Sequence, residues 1–224
     1  MDNPDYELPR RLMVMELKAR GYLSSPAVEE ALLKIPRELF VPEDQRPYAY
    51  EDRPLPIGHG QTISAPSVVA RMTELLDVKK GNKVLEVGTG SGYQAAILAW
   101  LVGDEGHVWT IERIPELAER AKAALERVGL ARRVTVIVGD GSLGYPPEAP
   151  FDRVIVTASA PRVPPSLLSQ LAIGGKMVIP VGSKLSQTLY VITKRGPDSF
   201  DISLDLEVIF VPLIGAEGWP GEDP

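Results

Sequence analysis

The segment Val84 to Gln94, VLEVGTGSGYQ, constrains this chain more than any other. An apolar run suited to a buried strand carries an acidic residue, Glu86, near its end and is followed at once by Gly88, Thr89, Gly90 and Gly92. Glycines so placed let the backbone turn tightly and approach a ligand at the carboxyl end of the strand, where open α/β sheets bind nucleotides. The spacing is GxGxG, not the GxGxxG of dinucleotide enzymes, and no GK[ST] is present, so pyrophosphate is not the ligand it suggests.

Around this turn, strands alternate with helices. Strands are expected over Lys83–Val87, His107–Ile111, Val134–Val138, Arg153–Val156 and Lys176–Val181. Helices are expected over Tyr93–Leu101, over Pro115–Val128 and near Pro164–Leu171. Such alternation predicts a mostly parallel sheet with helices on both faces, the Rossmann-like α/β class. Gln187–Thr193 and Ile202–Val211 read as an antiparallel hairpin closing one edge, and the chain beyond Leu213 reads as a tail. Upstream, Leu8, Leu12, Met15 and Leu17 suggest one helix, with Met13 and Met15 in its packing. Ser24 or Ser25 and Pro26 open a second helix that Pro36 ends, and Pro66 opens a third. Phe40 to Ser64 shows neither helical nor strand period and is expected to be a long ordered loop, a kind that is usually functional. The 224 residues are read as one enlarged domain: N-terminal helices and a substrate loop over 1–64, a cofactor-binding core over 65–182, and C-terminal strands and tail over 183–224.

Composition removes several chemistries. There is no cysteine, and the two histidines, His59 and His107, form no HxH or HxxxH pair, so no metal site is expected. Lys plus Arg is 24 against Asp plus Glu at 30, and the net charge of -6 argues against a nucleic-acid partner. The longest apolar run, Ala95 to Gly103, is far short of the roughly 20 residues that span a bilayer. The start, MDNPDYELPRR, has no apolar signal region, so a cytoplasmic protein without membrane partners is expected.

Two further strand ends extend the glycine turn into a site. Glu112 ends the strand after it, where a carboxylate can accept both ribose hydroxyls, and Asp140 with Gly141 closes the next, where a carboxylate can take an adenine amine. An adenosine pocket with no phosphate clamp points to S-adenosylmethionine. The turn after the fourth strand, Val156 to Pro161, has no aromatic platform for an amine, no metal-ligating Asp or Asn and no histidine base. An acceptor that is already ionised needs no base, and an α-carboxyl with a pKa of about 3.3–3.7 is ionised at neutral pH. Thr62 and Ser64, just before the helix opened by Pro66, place hydroxyls where an anion is favoured, although Ser64 could equally serve as that helix's cap. A small-molecule carboxylate is the alternative acceptor.

GHGQTISAP, VLEVGTGSGYQAAILA, VWTIER, GDG, APFDRVIVTASAP, GGKMVIPVG and FVPL together resemble the protein-L-isoaspartate O-methyltransferase family over roughly Leu8 to Ile214. The resemblance implies a class I methyltransferase that esterifies the free α-carboxyl of L-isoaspartyl residues in damaged proteins and peptides, and D-aspartyl residues more weakly. The ester then forms a succinimide, and S-adenosylhomocysteine is the other product. It implies a catalytic Ser64 with Thr62 beside it. Cofactor contacts are implied for Gln61, Thr62, Ile63 and Ser64, for Glu86, Gly88, Thr89, Gly90 and Gly92, for Glu112 with Arg113, and for Asp140 with Gly141. It places Ile214 beside the site and implies a monomer.

Overall fold

The computed structural model describes residues 5–221, so the first and last residues of the two expected termini lie outside it. In chain order the elements are α1 (Glu7–Ala19), α2 (Pro26–Lys34), β1 (Leu55–Gly58), β2 (Gln61–Ile63), α3 (Pro66–Leu76), β3 (Lys83–Val87) and α4 (Tyr93–Val102). Then follow β4 (His107–Glu112), α5 (Pro115–Arg127), β5 (Val134–Val138), β6 (Phe151–Val156), α6 (Pro165–Gln170), β7 (Leu171–Gly182), β8 (Gln187–Gly196) and β9 (Ser199–Val208).

Seven strands form one sheet in the order β5-β4-β3-β6-β7-β8-β9. The pairings from β5 to β7 are parallel, and β8 and β9 are added antiparallel. Successive strand residues feed opposite faces. Val84, Ile155 and Val178 join the core under the N-terminal helices, α4 and α5, while Leu85, Val154 and Met177 join the core that includes Leu167 of α6. Burial on both sides is why these strands read as continuous apolar runs. After β3 the chain runs outward through β4 and β5 and returns to β6 on the other side of β3. That reversal leaves a crevice at the carboxyl ends of β3 and β6, the usual ligand position in open α/β sheets.

The N-terminal helices cover this core. In α2, Ser25 caps through its hydroxyl, which accepts from the Val28 N–H at 3.4 Å, and Pro26 occupies the first turn. In α1 the expected stripe is corrected: Met13, Val14 and Leu17 are buried, whereas Leu8, Leu12 and Met15 are exposed. Both sets have helical spacing, and only tertiary packing decides which one faces the protein. Phe40 to Ser64 is also more regular than expected. It contains a short 3-10 turn, Glu43–Tyr48, just after another that ends at Phe40, and the antiparallel β1–β2 hairpin, in which Leu55 pairs with Ile63 and Pro56 with Thr62. Two buried residues, Leu55 and Ile57, are too short an alternation to read as a strand between prolines. Among the described residues, no helix is long and apolar enough to cross a membrane.

Candidate active site

The turn after β3 is fixed from both sides. Gly88 donates its N–H to the Ile111 carbonyl at 2.9 Å, and its own carbonyl accepts from the Thr157 hydroxyl at 2.6 Å. Its φ is +97°, and a Cβ there would stand 2.7 Å from Thr157 Oγ1, so glycine is required by both conformation and space. Glu112 ties the loop to the next strand: Oε2 accepts from Gly90 N at 2.8 Å and Oε1 from Ile114 N at 3.0 Å. A carboxylate has about four acceptor positions, so two remain for a ligand.

The β1–β2 hairpin lies over this turn, and Arg120 of α5 donates to the carbonyl of Ile57. The hairpin delivers Gln61 to Ser64 to the crevice wall. Ser64 does not cap α3. Ala65 occupies the cap position, and the Asp52 carboxylate accepts from Ser67 N at 2.9 Å in the first turn. Among the described residues, hydrogen bonding at Ser64 is confined to its carbonyl, which accepts from Arg37 Nη2 at 2.9 Å. The hydroxyl is therefore available to the crevice.

The far wall comes from the chain's end. Ser159 donates its N–H to the Val211 carbonyl and Leu213 donates to the Ser159 carbonyl, both at 2.8 Å, which sets the FVPL segment beside the Thr157–Ala158 turn. The expected tail is corrected up to residue 221. Leu213 to Trp219 folds back, with Trp219 N donating to the Leu213 carbonyl at 2.7 Å. Asp140 anchors it: Oδ2 accepts from Ala216 N at 2.8 Å, and Oδ1 accepts from Ser142 N and Oγ at 2.9 and 2.7 Å. A Cβ on Gly215 would lie 2.1 Å from Asp140 Oδ1, which explains the glycine. The signal for this turn was available in GAEGW after the strand, but a Gly-rich terminus reads equally well as a tail. Asp140→Ala is expected to release the turn and weaken cofactor binding about tenfold. Titration calorimetry with S-adenosylhomocysteine checks this, and an unchanged Kd would contradict it.

Glu86 is placed differently from its expected cofactor contact. Its side chain is fully buried, Oε1 accepts from Thr110 Oγ1 at 2.6 Å, and Thr110 Oγ1 lies 2.6 Å from Thr89 Oγ1 at the crevice. Burial pushes its carboxyl from 4.5 up to about 8, so it is mostly protonated at neutral pH. Because the folded state then holds a proton that the unfolded state has released, stability falls as pH rises from about 4.5 to about 8. Glu86→Gln mimics the protonated acid and is expected to remove that loss. Its gain over the parent should be small at pH 5 and reach roughly 4 kcal/mol near pH 8 in urea melts. An equal effect at both pH values would contradict the assignment.

The crevice thus brings together Gln61, Thr62, Ile63, Ser64, Gly88, Thr89, Gly90 and Glu112. It does not bring Glu86, Gly92, Arg113, Asp140 or Gly141 to its wall. Gly92 is the residue before α4, Arg113 is exposed, and Gly141 packs where a Cβ would meet Val87 Cγ1 at 2.5 Å. Sequence reasoning missed the apolar lining from Val69, Met72 and Tyr93, and also Ser91 and Gln94. The residues present fit an adenosyl cofactor: a glycine turn without side chains, a carboxylate with spare acceptor positions, and apolar walls.

Sheet order, antiparallel edge and crevice define a class I S-adenosylmethionine-dependent methyltransferase. Residues 9–218 match the Protein-L-isoaspartate(D-aspartate) O-methyltransferase (PCMT) family. The chain is 58% identical over 217 residues to a protein-L-isoaspartate O-methyltransferase of Hyperthermus butylicus, covering 94% of this chain and 90% of that one. It is 54% identical to that of Pyrococcus horikoshii, covering 96% of each. A crystal structure assigned to the same enzyme from Plasmodium falciparum, in complex with S-adenosyl-L-homocysteine, superimposes with a TM-score of 0.82 at 27% identity, covering 95% of this chain and 99% of that one. This chain belongs to the protein-L-isoaspartate (D-aspartate) O-methyltransferase family.

Proposed function

We propose that this chain is a protein-repair enzyme that transfers a methyl group from S-adenosyl-L-methionine to the free α-carboxyl of L-isoaspartyl residues, and more weakly of D-aspartyl residues. The observation that carries the reading is the Ser64 hydroxyl, relieved of capping by Asp52 and lining the same crevice as the Gly88–Glu112 turn. The names of its relatives support the acceptor.

When bound, the cofactor supplies an electrophilic methyl on a sulfonium, and the acceptor carboxylate needs no proton removed. Glu112 would hold the ribose hydroxyls through its two spare acceptor positions, and the backbone at Gly88 and Gly90 would leave room for the rest of the cofactor. Thr89, the hairpin residues Gln61 to Ile63 and the Leu213 turn complete that wall. Ser64 donates to one carboxylate oxygen and thereby aims the other. Val69, Met72 and Tyr93 exclude water, which favours a reaction in which opposite charges neutralise. Positioning is then the main contribution of the protein. Thr62 and Pro212 are exposed at the rim, consistent with an acceptor that is part of a polypeptide. We read residues 1–224 as one methyltransferase domain, acting as a cytoplasmic monomer.

Mass spectrometry of an isoaspartyl peptide incubated with enzyme and cofactor tests this reading. A methyl ester that decays to a succinimide and then to a mixture of aspartyl and isoaspartyl peptides is expected. An ester on a small carboxylic acid and none on the peptide would overturn it.

A further inference from the structure

Arg37 opens the 3-10 turn Arg37–Phe40 and is completely buried. Its Nε donates to the Ala49 carbonyl at 2.6 Å, and its Nη2 donates to the Ser64 carbonyl at 2.9 Å. Its guanidinium carbon lies 5.1 Å from the centre of the Tyr93 ring, and Tyr93 lines the active-site crevice. Two buried polar atoms in this cluster, Arg37 Nη1 and the Tyr93 hydroxyl, have no hydrogen-bond partner among the described residues.

No carboxylate pairs with this cation among the described residues. Glu38, its neighbour in sequence, faces Arg10 at 3.0 Å and takes the Tyr50 hydroxyl. Asp52 is engaged by Arg20 at 2.7 Å and by Ser67 N. A neutral amide could satisfy carbonyls without the cost of desolvating a charge. Retaining a buried, unpaired guanidinium on the backbone of Ser64 therefore calls for an anion that arrives during the reaction, and the acceptor carboxylate is one.

We propose that Arg37 is a positioning residue for methyl transfer, fixing the Ser64 carbonyl so that the hydroxyl is aimed, and supplying the positive charge that favours a carboxylate at that hydroxyl. This rests on the reading that Ser64 holds the acceptor. Burial lowers the guanidinium only to about 10, so it stays charged across the physiological range. The groups that face it are Tyr93 of α4 and Tyr50 and Asp52 of the segment before β1, with the Arg10–Glu38 pair beyond Tyr50.

Three variants test it with an isoaspartyl peptide: Arg37→Met, Arg37→Lys and Ser64→Ala. Arg37→Met is expected to lower kcat and raise the peptide KM, together by about 100-fold in kcat/KM, with the Kd for S-adenosylhomocysteine within about twofold of the parent. Arg37→Lys should recover much of the activity at low pH and lose it as pH rises, because a buried lysine can lose its proton as low as about pH 5–6. The parent should show no such decline below about pH 9. A purely structural role moves stability but creates no new pH limb. Arg37→Met at parental kcat/KM, or Arg37→Lys with a flat pH profile, would overturn the proposal, and the lysine profile decides alone if the methionine variant does not fold. If Ser64→Ala turns over like the parent, the reading of Ser64 fails. If Ser64→Ala is slow and the Arg37 variants are not, only the role of Arg37 fails.

Discussion

Glu112→Ala is expected to weaken S-adenosylhomocysteine binding by at least about 100-fold, roughly 3 kcal/mol. The carboxylate accepts from Gly90 N and Ile114 N, so its loss leaves two N–H groups without partners and frees the glycine turn as well as removing the proposed acceptor for the ribose. Glu112→Gln separates these contributions. Its amide keeps one acceptor oxygen but turns an N–H2 toward a backbone donor, so it should recover only a small part of the affinity. Titration calorimetry reads both, and an alanine variant that binds like the parent would remove Glu112 from the cofactor site.

Ser64→Ala is expected to lower kcat by about 100-fold while leaving cofactor affinity nearly intact. A hydroxyl on a carboxylate oxygen stabilises the charged ground state at least as well as the less charged transition state, so its contribution is orientation, and a misplacement of about 1 Å can cost that much. Losing a serine that capped α3 would cost about 1 kcal/mol of stability. Here Asp52 satisfies the Ser67 N–H, so the melting temperature should stay unchanged. A lower melting temperature with normal turnover would make Ser64 a structural residue.

The core of this fold was legible because its signals are local. Strands buried on both faces, such as Val84–Val87, read as continuous apolar runs, and α5 carries its inward face at helical spacing through Leu117, Ala121 and Leu125. The glycine turn and Glu112 were legible for the same reason: strand, turn and acid follow one another along the chain. What was not legible depends on contacts between distant segments. Leu8, Leu12 and Met15 fit one face of a helix as well as the residues that α1 actually buries, and only the position of α2 and α3 selects between them. Asp140 looks like a free acceptor until Ala216, far along the chain, and Ser142 are seen to take three of its about four acceptor positions. Arg37 stands beside Glu38 in sequence, which suggests an ordinary charged pair; the structure turns Glu38 toward Arg10 and leaves Arg37 on Ser64.

The central claim is that this crevice methylates isoaspartyl carboxylates and discriminates them from ordinary ones. Methyl transfer from radiolabelled S-adenosylmethionine to two peptides, identical except for aspartate or isoaspartate at one position, tests it most directly, with base-labile methanol as the readout. Labelling of the isoaspartyl peptide alone is the predicted result. Equal labelling of both, or none of either while S-adenosylhomocysteine still binds by calorimetry, would contradict it.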